Sequence, residues 1–127
     1  MRQAGFEKVD LLGRAPHLSL DPAECDPLAI LEEATALGLR IANLGTYVGK
    51  HFASPDAAVQ EAELALLRRA IDIATLCGAR SIRVSPGDDD PAHMAEIARC
   101  FRQGAAYAVE KGVRLAFETH GGGISGH

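Results

Sequence analysis

Glycine and proline recur along this chain at fixed points of a repeat. Gly5, Gly38, Gly78 and Gly112 each stand just before an apolar run, at intervals of 33, 40 and 34 residues. Asp26-Pro27, Ser54-Pro55 and Asp90-Pro91 each open a stretch of helical periodicity. A small polar residue followed by proline suits the first turn of a helix, where an N–H has no partner to lose. Glycine after the last turn takes the left-handed backbone that closes it. Each interval therefore holds a strand, a loop and a helix. Strands that alternate with helices of ten or more residues form right-handed βαβ units, so the sheet is parallel.

The pattern predicts strands over 6–11, 39–44, 81–85 and 113–118, and helices over 27–37, from Asp56 to about Cys77, and from Asp90-Pro91 to Lys111-Gly112. Spacings of three and four place Ile30, Leu31, Ala34 and Leu37 on the inner face of the first helix. Leu66, Ala70, Ile73, Ala74 and Cys77 do the same for the second, and Met94, Ile97, Ala98, Phe101, Ala105 and Ala108 for the third. Arg68 and Asp72 are spaced to pair on the solvated side of the second helix, worth about 0.3–0.5 kcal/mol. The strand faces help to choose between an open sheet and a barrel. Ile82 and Val84 oppose Ser81, Arg83 and Ser85, and Val113, Leu115 and Phe117 oppose Arg114 and Glu118. A doubly wound sheet would be apolar on both faces. Strands with one polar face favour a barrel.

Composition narrows the function classes. The 127 residues are 47% hydrophobic and 24% charged, enough for one globular core. With no Trp and 5% aromatic content, that core is expected to be built from Ala, Leu, Ile and Val. No apolar run approaches the roughly 20 residues that cross a bilayer, and the N-terminal residues lack the apolar centre of a signal peptide. A membrane role is therefore not expected, and the expected location is cytoplasmic. Cys25, Cys77 and Cys100 are odd in number and widely spaced, which fits reduced thiols better than a disulfide framework or a metal knuckle. Acidic and basic residues are scattered, with a net charge of −4, and no basic patch with interleaved aromatics is visible for nucleic acid.

Candidate chemistry gathers near the C-terminus, in Val113 to Gly123. Glu118 ends the last strand on its polar face, His120 follows two residues later, and three glycines let the backbone approach a ligand closely. Glu118 reads either as a metal ligand and acid/base, or as a carboxylate bonded to backbone amides or paired with Arg83 or Arg114. His120 reads as a metal ligand, a substrate contact or a plain loop residue. His17 and His51 lie in loops after strands, where they are substrate-lining candidates or solvent-exposed residues. Asp90 is best used as a helix cap, with Asp88 and Asp89 favouring the helix dipole.

The segments AGFEKVDL, GLRIANLG, SPDAAVQEAELALLRRAIDIATLCGARSIRVSPG and AAYAVEKGVRLAFETHGG together resemble the xylose isomerase-like TIM-barrel superfamily. The resemblance runs over nearly the whole chain and rests on the order and spacing of the four segments. Its members include sugar isomerases and epimerases, inosose dehydratases and apurinic-site endonucleases. It implies an α/β fold of parallel β/α units forming about half of a TIM barrel, with residues 1–127 as a single partial domain resembling strands two to five. Such a barrel typically takes ~250 residues and eight strands. Strand one and strands six to eight are expected to be missing, and dimerisation or a C-terminal half to complete the site.

The resemblance assigns Glu118 to a divalent metal and to proton transfer, and places the remaining ligands, an Asp, a His and a second Glu, on strands six to eight. His120 stays a candidate ligand from its position two residues past Glu118. The metal implied is Mn²⁺ or Mg²⁺, with Zn²⁺ as a further candidate. The function implied is a metal-dependent sugar isomerase or epimerase that abstracts a proton next to a carbonyl. The alternative is a non-catalytic fragment or homodimeric half-barrel that binds metal or a partner. An endonuclease-type phosphodiesterase fits less well, because Ser85-Pro86-Gly87 stands where that branch has a metal-binding His before Pro-Gly.

Overall fold

Four strands and three helices alternate through the chain in a computed structural model that describes residues 4–88 and 90–118. The strands are β1 (Lys8–Leu12), β2 (Arg40–Gly45), β3 (Ser81–Val84) and β4 (Arg114–Phe117). The helices are α1 (Pro27–Ala36), α2 (Ala57–Leu76) and α3 (Met94–Glu110), the last entered through a short 3₁₀ turn, Pro91–His93. All neighbouring strands pair in parallel, in the order β1-β2-β3-β4. Parallel strands in sequential order need a crossover between each pair, and because such crossovers share one hand as a rule, the helices fall on one side of the sheet. The other side carries the polar residues Asp10, Asn43, Ser81, Arg83 and Arg114, interspersed with Leu12, Gly45 and Ala116. This is the β/α architecture expected from the sequence.

The punctuation works as its chemistry suggests at α1, but at α2 it is shifted by two residues. There Asp56 rather than Ser54 is the cap, Pro55 lies before the helix, and Ser54 Oγ instead accepts the Asp56 N–H at 3.2 Å. The Asp26 side chain accepts the N–H groups of Leu28 and Ala29, both at 3.1 Å, and Pro27 follows it at the first helical position. Asp56 accepts the N–H of Ala58 at 2.8 Å and opens α2. Asp90 caps the 3₁₀ turn rather than α3 itself, through the N–H of Ala92 at 2.9 Å. Beyond the helix ends, Gly38, Gly78 and Gly112 have φ of +68°, +76° and +69°.

One register irregularity decides which residues face where. Val9 pairs with Ile41, but Asp10 pairs with Asn43, so β2 carries Ala42 as an extra residue. This bulge lets Ile41 and Leu44, three residues apart, both turn toward the helices, where they are buried. From Asn43 onward the opposite residues of β2 face the polar side.

The core lies between sheet and helices and includes Leu64, Leu67, Ile71, Ile82 and Val84. Each fully buried Leu or Ile contributes about 1.5–3 kcal/mol relative to exposure. At Gly104, α3 approaches α2 so closely that a methyl group there would fall on the Leu67 side chain.

Several sequence expectations are corrected. Strand β1 begins at Lys8, leaving Phe6 56% exposed. The buried stripe of α2 runs through Leu67 and Ile71, with Leu66 at its margin. Leu37 and Met94 are exposed, because α1 stops at Ala36 and α3 begins at Met94 with its first turn in solvent. Arg68 pairs with Glu61 at 3.4 Å, and Asp72 instead accepts the Tyr107 hydroxyl at 2.7 Å. The core is also more aromatic than composition suggested. Phe52 is wholly buried and meets Phe101 edge-on at 4.8 Å, and Phe101 in turn meets Phe117 at 4.7 Å. Three of the few aromatic rings concentrate at one place, beneath the C-terminal ends of β3 and β4.

Candidate active site

The polar side of the sheet is arranged in rows set by strand register. Asp10, Asn43, Ser81 and Arg114 form one row, and Leu12, Gly45, Arg83 and Ala116 the next. In the first row the Ser81 hydroxyl donates to Asn43 Oδ1 at 2.8 Å, and Asn43 Nδ2 donates to Asp10 Oδ2 at 3.4 Å. Side chains on a parallel sheet alternate between its faces, so Glu118, two residues past Ala116, continues the polar side above the second row.

There Arg83 Nη1 donates to Glu118 Oε2 at 2.7 Å. The guanidinium also lies 5.1 Å from the centre of the Tyr47 ring, in the cation–π range. Among the readings left open for Glu118, the pairing with Arg83 is present. The side chains are 27% exposed for Arg83 and 47% for Glu118, so the pair is accessible to a solute. A carboxylate held at a strand's C-terminal end can accept a proton or a ligand hydroxyl. That is where barrel chemistry takes place.

The loop after β2 is tied down from several sides. Thr46 is buried, its N–H and hydroxyl both reaching the Arg83 carbonyl at 3.0 and 2.8 Å. Val48 donates to Thr46 Oγ1 at 3.2 Å, and the Ser85 N–H donates to the Val48 carbonyl at 2.8 Å. Glu63, on α2 and only 5% exposed, accepts the Gly49 N–H at 2.6 Å through one oxygen. Its other oxygen meets His51 Nδ1 at 3.1 Å. With Nδ1 donating, the neutral His51 ring presents Nε2 as an acceptor.

The proposed site residues thus separate. Glu118 sits on the polar face with Arg83. His51 is exposed but anchored to Glu63. His17 is exposed in the β1–α1 loop, where it lines a cavity with Cys25 and Ile30 rather than with Glu118. His120 lies outside the described residues. Sequence reasoning missed Glu63, although a carboxylate at a stripe position of α2, one residue before Leu64, was a visible signal for a buried acid with a partner.

A second cavity of about 480 Å³ opens at the C-terminal ends of β1 and β2, lined by Gly13, Arg14, Leu20, Tyr47, Val48 and Lys50. Tyr47 joins this cavity to the Arg83–Glu118 pair.

A hard divalent cation takes about six oxygen donors. Among the described residues no three His, Cys, Asp or Glu side chains converge to hold one. Glu118 brings a single carboxylate, and the cation beside it is Arg83. The described donor set does not fit a metal centre by itself.

A parallel β/α sheet with helices on one side and a polar opposite side is a segment of a β/α barrel, its chemistry at the strand ends. The sequence model of the xylose isomerase-like TIM barrel family matches residues 1–126, and the chain belongs to that family. No curated protein matches it in sequence. Among solved structures it is similar to an L-ribulose 3-epimerase, at 22% identity and a TM-score of 0.73, over 91% of this chain and 40% of that one. A D-allulose 3-epimerase from Methylomonas sp. in complex with D-allulose gives 23% identity and a TM-score of 0.69, over 91% of this chain and 41% of that one. A xylose isomerase-like TIM barrel protein from Mycobacterium smegmatis in complex with magnesium gives 22% and 0.67, over 95% and 44%. The chain spans less than half the length of these three structures. At this identity the likeness establishes the fold.

Proposed function

We propose that the chain is part of a sugar isomerase or epimerase in which Glu118 moves a proton at the carbon next to the sugar carbonyl. The observation that carries this reading is the position of Glu118, an accessible carboxylate just past the C-terminal end of β4, held by Arg83 at 2.7 Å. Two of the similar structures are sugar 3-epimerases, one of them with D-allulose bound, which supports a ketose as substrate. Removing the proton α to a ketose carbonyl leaves an ene-diolate. Returning it to the opposite face gives an epimer, and returning it to the neighbouring carbon gives an isomer.

Within this chain Glu118 accepts the proton, Arg83 fixes the carboxylate's direction, and Tyr47 covers the guanidinium. The magnesium-bound neighbour supports a divalent cation, Mg²⁺ or a similar ion such as Mn²⁺ or Zn²⁺, which would polarise the carbonyl. The described residues do not assemble its site, so the chemistry assigned to the chain is the proton transfer at Glu118 alone. His51 and His17 are proposed as sugar contacts, and His120 as a ligand beside Glu118.

The test is solvent exchange. The 127-residue chain is incubated with D-allulose or D-fructose in D₂O, with and without Mg²⁺ or Mn²⁺, and deuterium at carbon 3 is followed by proton NMR. Incorporation above buffer, lost in Glu118→Gln, is the expected result. Wild-type exchange no faster than buffer refutes the reading.

A second reading has its own observation. In the sheet order β1-β2-β3-β4, one edge each of β1 and β4 has no strand partner among the described residues. Unpaired parallel edges are a template for further strands. A second copy of the chain is the proposed occupant, and a monomer mass by light scattering would exclude it. Among the described residues no helix is long and apolar enough to cross a membrane. The free thiols of Cys25, Cys77 and Cys100 support a reducing, cytoplasmic setting.

A further inference from the structure

The cavity at the ends of β1 and β2 has a charge character at odds with the rest of the molecule. The chain as a whole carries a net charge of −4. Yet two of the six described residues around this cavity, Arg14 and Lys50, are cationic, and none is acidic. Neither cation has an ion-pair partner among the described residues, although Arg68, Arg83, Arg99 and Lys111 all do. Cations left unpaired along the wall of a cavity raise the local potential there and draw anions toward it.

The wall is also prepared in advance. Arg14 stands two residues past the end of β1, and the intervening Gly13 is fixed by its N–H donating to the Gly45 carbonyl at 2.7 Å. Tyr47 and Lys50 stand on the loop that Glu63, Thr46 and Ser85 tie down. Gly49 within that loop has φ of +110° and sits against the Ser85 carbonyl and the Phe101 ring, so the turn presenting Lys50 has little room to shift. A volume of about 480 Å³ is within the range of small-ligand sites. Tyr47 touches the cavity on one side and the Arg83 guanidinium on the other. An anionic group seated between Arg14 and Lys50 therefore leaves the remainder of its molecule beside the Glu118 pair.

We infer that this cavity holds the anionic group of an acidic sugar, a phosphate or a carboxylate, so that a charged sugar is bound in preference to a neutral ketose such as D-allulose or D-fructose. This deepens the proposed proton transfer at Glu118 and rests on that reading for the identity of the ligand as a sugar. The two cationic side chains set the specificity, the guanidinium accommodating two oxygens of one anion and the ammonium a third.

The experiment is a calorimetric titration of the 127-residue chain with D-fructose 6-phosphate, D-glucuronate, D-fructose and inorganic phosphate, repeated with Arg14→Gln and Lys50→Gln. Both substitutions are at exposed positions, and thermal melting confirms that the variants are folded. At least one acidic sugar is expected to bind ten-fold or more tightly than D-fructose, with each substitution removing five- to ten-fold of that advantage and leaving D-fructose unaffected. Preference for the phosphate or for the carboxylate identifies the anion. Equal affinity for charged and neutral sugars, or acidic-sugar affinity unmoved by both substitutions, overturns the inference. Acidic-sugar binding without deuterium exchange would sink the Glu118 chemistry while the subsite stands. Exchange on neutral ketoses with no anion preference would do the reverse.

Discussion

Gly49→Ala tests how firmly the loop after β2 is built into the fold. Gly49 has φ of +110°, a region where an L-residue is strained, at a cost of about 1–3 kcal/mol. An added Cβ would also run into the Ser85 carbonyl oxygen and lie 2.6 Å from Phe101 Cζ. Neither neighbour gives way easily. The Ser85 N–H is bonded to Val48, and the Phe101 ring is held edge-on by both Phe52 and Phe117. Overpacking of this kind costs a further ~1–3 kcal/mol. The sum centres near 4 kcal/mol, a fall of roughly 15 °C in melting temperature for a chain of this size.

Gly78→Ala is the control, because φ there is +76° but nothing lies within 4 Å of the new methyl. It carries the backbone strain alone, about 1 kcal/mol. Urea unfolding of wild type and both variants, followed by circular dichroism at constant pH, gives the comparison. A Gly49→Ala loss equal to that of Gly78→Ala would show that the contacts with Ser85 and Phe101 yield freely. The account of a rigid loop would then be wrong.

Glu118→Gln is expected to cost less than ~1 kcal/mol of stability while abolishing exchange, since its pair with Arg83 is accessible to solvent; a collapse in melting temperature would make Glu118 a structural residue. Asp26→Ala removes the acceptor of two N–H groups at the start of α1 and should lower stability by about 1 kcal/mol in urea, whereas no change would mean that Pro27 alone sets the start of that helix. Burial, with Cys25 nearby adding to it, pushes the Cys77 thiol from 9.0 up to about 11. Deprotonation is thus easier in the unfolded chain. The stability tied to Cys77 is full below pH 9 and is lost as pH rises toward 11. Stability of the wild type should fall more steeply over that window than that of Cys77→Ala, and parallel curves would contradict the assignment.

What the sequence made legible was local chemistry. Asp26-Pro27, Asp56 and the glycines past each helix act through neighbours one to four residues away, so their roles can be read in order along the chain. The position of Glu118 was readable for the same reason, because alternation along one strand fixes its face. Contacts set by packing between distant elements were not readable. The choice between Leu66 and Leu67 as the buried residue of α2 depends on where α3 crosses it, at Gly104. The pairing of Asp72 with Tyr107 rather than Arg68 depends on the same crossing. Phe52 counts as one aromatic in a loop until Phe101 and Phe117 arrive from 49 and 65 residues further on. The tie between Glu63 and His51 is likewise tertiary, and it shows His51 facing away from a simple role as a free loop histidine. Among the readings for Glu118, only the register of β3 against β4 could select Arg83 over Arg114.

The extra residue Ala42 divides β2 into two halves that answer to different demands. Before it, Ile41 is bound to the packing of α1 and β1. After it, Asn43 and Gly45 belong to the polar rows, and Tyr47 to the cavity wall. Because side-chain direction reverses at the bulge, an insertion or deletion on one side need not scramble the other. The strand therefore works as two short modules spliced in opposite phase, each anchored in the core by one residue, Ile41 or Leu44, so that Asn43 on the polar side can change without moving either.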